Sequence, residues 1–161
     1  MRRSIRWTLA VVVLAVPAMA SNTGSQTDKG GTSKEQRRIR FYDVQRQTAE
    51  FIAYNKWIGL TPEQQKIKTQ ALSSIPAPCC SKYSMATCCC PCNLAKSVWG
   101  LSNHLIAEKH YDAARVKQAV LQWLRFTNPN GSAGNACFQG RCGRAFREDG
   151  CGGMDETAVR F

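Results

Sequence analysis

Cys79-Cys80 and the run Cys88-Cys89-Cys90-Pro91-Cys92 place six of the chain's nine cysteines between positions 79 and 92. Core packing does not call for thiols at that density. A deprotonated cysteine is both a nucleophile and a soft ligand, so three chemistries are open: soft-metal ligation, disulfide formation and thiol exchange. For a metal, Cys89-x-x-Cys92 has the two-residue gap that lets two sulfurs converge on one ion. Cys88 and Cys90 are the next candidate ligands, then Cys79 and Cys80. Cys137, Cys142 and Cys151 complete the shell or form bridges. A zinc site built from two such knuckles would show a second Cys-x-x-Cys, and here there is one. Three adjacent thiols suit Cu(I), which accepts low coordination, somewhat better than tetrahedral Zn²⁺.

The same residues support a disulfide framework. Cys137, Cys142 and Cys151 can each bridge to the 79–92 region and pin the C-terminal segment, each long bridge stabilising by about 2–4 kcal/mol. Nine is an odd number, so one thiol at least is left for another chain, a metal or solution. For exchange, Cys89-Cys90-Pro91-Cys92 resembles the C-x-P-C active-site turn of thioredoxin-like proteins over four residues and a helix start. That resemblance implies Cys89 as attacking and Cys92 as resolving thiol. The preceding Ser81–Thr87 does not read as a buried strand, and the chain lacks the alternating strands and helices of a parallel sheet.

Other residues invite chemistry less. On a continuous helix from Pro91, His104 lies about 18 Å along the axis from Cys92. It therefore belongs to a helix surface or a helix–helix contact, and His110 to the end of that helix, as a partner for its dipole. Trp99 falls on the Cys92 face as packing, Met85 between the two cysteine groups is core filler before it is a thioether ligand, and Met154 carries less still. Covalent haem needs Cys-x-x-Cys-His, and Asn93 follows Cys92. No Ser/His/Asp set, phosphate loop or paired carboxylates stand at a diagnostic spacing, so no catalytic residue is assigned.

Helices must position the thiols. From Glu35 to Trp57, Phe41, Val44, Thr48, Phe51 and Ile52 recur at helical spacing, and Gly59 ends the helix. Thr61-Pro62-Glu63-Gln64 opens a second with a capping box, running to about Ser73, before Ile75-Pro76-Ala77-Pro78 stops it. A third is predicted to start at Pro91 with Cys90 as N-cap and Cys92 as its second residue, where exposed N–H groups would favour the thiolate. Leu94, Val98, Leu101 and Leu105 form its core stripe. A fourth begins at Tyr111-Asp112, buries Val116, Val120 and Trp123 or Leu124, and ends near Thr127 before the turn Asn128-Pro129-Asn130-Gly131. The expected fold is all-α: about four helices over 35–127 carrying the cluster, and an irregular Gly/Cys-rich tail, 128–161, packed on it.

Residues 1–20 read as a signal peptide, with Arg2, Arg3 and Arg6, an apolar run from Trp7 to Val16, and Ala18-Met19-Ala20 for cleavage. Residues 21–34 read as a flexible polar spacer. What remains is enough for one domain, and it contains every cysteine and no segment able to span a bilayer. A periplasmic or secreted location follows, which permits disulfides. The chain carries 22 Lys and Arg against 11 Asp and Glu. These charges are spread rather than gathered in a stripe, so the expected partners are a metal ion, another exported metalloprotein or an anionic envelope surface, and nucleic acid is disfavoured. The functional expectation is binding of Cu(I) or Zn²⁺ for storage, delivery or sensing rather than catalysis. The alternatives are a disulfide-stapled interaction domain and a thiol–disulfide exchange protein.

Overall fold

The computed structural model describes residues 39–78, 80–131 and 143–161. The expected signal peptide, the spacer, Cys79, Cys137 and Cys142 lie outside the described residues. Among those described, four helices dominate: α1 (Val44–Trp57), α2 (Pro62–Ser73), α3 (Asn93–Ala107) and α4 (Ala113–Thr127). The described residues are mainly helical, in rough agreement with the expected all-α bundle, with one short sheet besides. A small antiparallel hairpin, β1 (Pro76–Ala77) and β2 (Cys80–Ser84), sits between α2 and α3, pairing Pro76 with Ser84 and Ala77 with Cys80. The segment read as strandless therefore holds a strand. Its period-2 signal is weak because Lys82 and Tyr83 both face solvent.

Caps fix the helix starts. The capping box at Thr61 is present in full: Gln64 N donates to Thr61 Oγ1 and Thr61 N to Gln64 Oε1. The helix expected from Glu35 instead begins at Val44. Asp43 is its N-cap and takes the Arg46 N–H at 2.9 Å. Gln47 reinforces this start by accepting from the backbone N–H groups of Tyr42 and Asp43 and donating to the Arg40 carbonyl. An aspartate that satisfies an orphan N–H outcompetes one more turn of helix upstream. At α4, Asp112 does the same for Arg115 N, and the predicted turn after Thr127 closes with Gly131 N on Asn128 O.

α3 is the central element. Eleven of its fifteen residues are buried, so it packs on more than one face. The stripe Leu94, Val98, Leu101 and Leu105 is buried as predicted. On another side, Gly100 lets α1 approach so closely that a Cβ there would lie 1.7 Å from the Phe51 carbonyl oxygen. Toward α4, the Trp123 indole donates to Ser97 Oγ at 3.0 Å. Phe51, Trp123 and Phe41 stack edge-on or tilted, with centroids 4.9 to 6.3 Å apart, and close the core between α1 and α4. Three buried polar side chains of α3 are hydrogen-bonded here: Ser97 and Ser102 donate to carbonyls of their own helix, and Asn103 donates to Ile58 O.

Candidate functional site: a thiol loop at the start of the central helix

The predicted helix start is shifted by two residues, and the shift changes the chemistry. Cys92 is the N-cap of α3, not its second residue, and Asn93 is the first helical position. Pro91 stands outside the helix, exposed. A thiol is a poor cap, and Cys92 makes no side-chain capping bond. The C-terminal segment does that work. Gly153 O accepts from Asn93 N at 2.9 Å and Cys151 O from Leu94 N at 3.1 Å. Asn93 Nδ2 then donates to Gly152 O and Asp155 O, and Lys96 Nζ to Met154 O. Glu156 pairs with both Lys96 and Lys56, and those two cations hold its carboxyl below the usual range. Gly152 and Gly153 turn this segment with φ of +72° and +83°. Two of the helix-start N–H groups expected to activate a thiol, those of Asn93 and Leu94, are spent on backbone carbonyls.

The cysteines consequently separate into two sets. Cys80, Cys92 and Cys151 are buried, each about 1 % exposed. Cys88, Cys89 and Cys90 lie on the loop between β2 and α3, with Cys89 exposed and its two neighbours half-buried. Cys89 Sγ and Cys90 Sγ are 3.7 Å apart, and Cys88 Sγ donates to the Cys90 carbonyl at 3.6 Å. The Cys89 thiol is pushed up from its ordinary range, first by its hydrogen bond with Cys90 and then by desolvation and its sulfur neighbours. Cys89 is thus held as a thiol, whereas the C-x-P-C resemblance implied an activated nucleophile. No disulfide links two of the six described cysteines. Among the described residues no three His, Cys, Asp or Glu side chains converge as a ready-made metal shell.

Of the remaining candidates, His104, Met85 and Trp99 take part in packing, and His110 and Met154 are exposed. His104 stacks on Tyr54 of α1 with centroids 4.5 Å apart and planes 10° from parallel, the helix–helix contact foreseen. Burial, then the Lys109 cation, lowers its pKa. His110 is exposed in the turn after α3, with φ of +53°. Met85 is fully buried in the core, and the Trp99 indole donates to its carbonyl at 2.8 Å. Met154 is 46 % exposed.

Sequence reasoning overlooked Lys68. Its ammonium is half-buried on α2, donates to Asn103 Oδ1 at 2.8 Å, and is lowered by desolvation to about 8. The signal was its spacing, three and four residues before the buried Ala71 and Leu72, which puts it on the inward face of α2. Lys68 shares a cavity of about 300 Å³ with Cys88, Gln65, Thr69, Leu72, Ala86 and Trp99. A larger cavity, about 640 Å³, is lined by Tyr42, Phe126, Phe146, Arg147 and Phe161 among others, and none of its described lining residues is a cysteine or histidine. No described helix is long and apolar enough to cross a membrane.

Comparison with protein-family profiles, curated proteins and solved structures finds no match to this chain.

Proposed function

We propose that this is an exported protein that takes up a soft or borderline metal ion, Cu(I) or Zn²⁺, through the thiol loop Cys88–Cys90, for storage, delivery or sensing. The observation that carries the reading is the 3.7 Å separation of Cys89 Sγ and Cys90 Sγ at the protein surface. Two thiolates on one tetrahedral zinc, each about 2.3 Å from the ion, stand about 3.8 Å apart. The pair already has the spacing that one ion imposes. Cys88, one residue away, half-buried and with its thiol on the Cys90 carbonyl, would have to turn toward the pair to supply a third donor. Binding displaces the thiol protons, so the raised Cys89 pKa makes uptake weaker as pH falls.

This assignment reorders the ligands expected from spacing alone. Cys92, the partner in Cys-x-x-Cys, is buried beneath the C-terminal segment, and Cys80 is buried in the hairpin. Both are better suited to packing than to an exchanging ion. The test is a competition titration of the reduced full chain with Cu(I) and, separately, Zn²⁺ against a chromophoric chelator. Cys89→Ser with Cys90→Ser should weaken uptake at least a hundredfold, and Cys92→Ser should change it little. Equal uptake by the wild type and the double variant would refute the assignment.

A second reading, a disulfide-stapled interaction domain, draws on the burial of Cys92 and Cys151 where the C-terminal segment meets the start of α3. Non-reducing peptide mapping of material from the export compartment separates the two readings. A bridge that includes Cys89 or Cys90 would favour the staple.

A further inference from the structure

The cavity of about 640 Å³ lies between the start of α1, the end of α4 and the C-terminal segment, and two sets of aromatic rings wall it. Phe126, from α4, is backed by Phe41 and Trp123, with ring centroids 6.0 and 5.9 Å away. Phe146 meets Phe161 edge-on, with 5.7 Å between centroids. Phe146 is held firmly. It is buried, and its N–H donates to Arg160 O at 3.2 Å. Gly152 presses so closely on its ring that a Cβ there would lie 2.4 Å from Cε1. Rings fixed from behind give a wall formed before any guest arrives, which cuts the ordering cost of binding. The volume falls within the roughly 300–1,000 Å³ of small-ligand sites and admits a fused-ring guest but not a folded protein.

The charged groups give the guest its sign. Arg147 is the one cation among the described lining residues, and Asp43 the one carboxylate. They are not equivalent. Asp43 caps α1, and its Oδ1 accepts the Arg46 N–H at 2.9 Å, so the helix start already satisfies part of its charge. Arg147 is exposed and forms no ion pair among the described residues. A planar guanidinium takes a carboxylate through two parallel hydrogen bonds. We infer that this cavity binds a flat aromatic monocarboxylate, its rings against Phe126, Phe146 and Phe161 and its carboxylate on Arg147. Aromatic faces and edges offer such a guest stacked or edge-on contacts that an aliphatic chain cannot match. A second negative charge would meet only Asp43, so the guest carries one. None of the described lining residues is a cysteine or histidine, and the inference does not rest on the metal-binding reading.

The test titrates the reduced full chain, in chelator, with 2-naphthoate and with neutral 2-naphthamide, read by ligand fluorescence and by NMR. The carboxylate should bind at least fivefold more tightly than the amide. Intermolecular NOEs from its ring protons should reach the rings of Phe126, Phe146 and Phe161. Arg147→Gln should bring the two affinities together, because the ring contacts stay while the carboxylate loses its partner. The chain's net charge of +11 attracts any anion, so a control is needed. Lys66→Gln removes the same charge at an exposed position of α2 outside the cavity lining, and should leave the preference intact. No binding of 2-naphthoate, equal affinity for both probes in the unaltered chain, NOEs to other residues only, or the same loss of preference in both variants would overturn the assignment.

Discussion

Single groups in this protein are tuned by what surrounds them, and Lys68 is the plainest case. Burial lowers its pKa from 10.5 to about 8. The unfolded chain therefore binds more protons than the folded one between those values, and stability rises with pH across that window. At pH 7 the folded state carries the whole penalty of burying the charge, about 3 kcal/mol before the Asn103 hydrogen bond offsets part of it. Lys68→Met should thus stabilise the protein at pH 7 by about 1–2 kcal/mol in urea unfolding, since Asn103 Oδ1 loses its partner. The gain should shrink between pH 8 and 10.5. A destabilised variant at neutral pH would show that the ammonium is better compensated than its partners suggest. The cysteine run was legible as a site from density alone. Its division into a partly exposed loop trio and a buried set was not, because that depends on where the C-terminal carbonyls lie. Lys68 was hidden among the polar residues of a weakly amphipathic helix.

At the scale of elements, α3 is held by two close fits. The first is the Gly100 crossing with α1. Gly100→Ala would drive a methyl into the Phe51 carbonyl, and the helices would have to part. The expected loss is about 3 kcal/mol, at the upper end for overpacking, with a clear fall in Tm. A variant as stable as wild type would mean that α1 slides without cost. The second fit is the C-terminal segment over the start of α3. Asn93→Ala removes two hydrogen bonds to the carbonyls of Gly152 and Asp155. It should cost about 2 kcal/mol and make Cys92 and Cys151 react with a maleimide markedly faster under native conditions. Unchanged labelling would show that the segment is secured elsewhere. Helix positions were readable where a cap or stripe was local, as at Thr61 and along Leu94–Leu105. They misled where the cap came from afar. Pro91 suggested a helix start, but the partners for the first N–H groups of α3 lie some sixty residues downstream. The strand at Cys80–Ser84 escaped for a related reason, since its pairing partner is only two residues long.

For the whole molecule, a core of packed helices carries a partly exposed thiol loop on which Cys89 Sγ and Cys90 Sγ stand 3.7 Å apart. The C-terminal segment ties down the start of α3 at the base of that loop through the carbonyls of Cys151, Gly152 and Gly153. This division of labour among the thiols is the central claim. It is tested most directly by native mass spectrometry of the protein purified without reductant, alongside the Cys89→Ser, Cys90→Ser double variant. The predicted result is one bound Cu(I) or Zn²⁺ in the wild type, lost in the double variant, with both proteins folded. A metal-free wild-type mass in which Cys89 or Cys90 is bridged to another cysteine would contradict it.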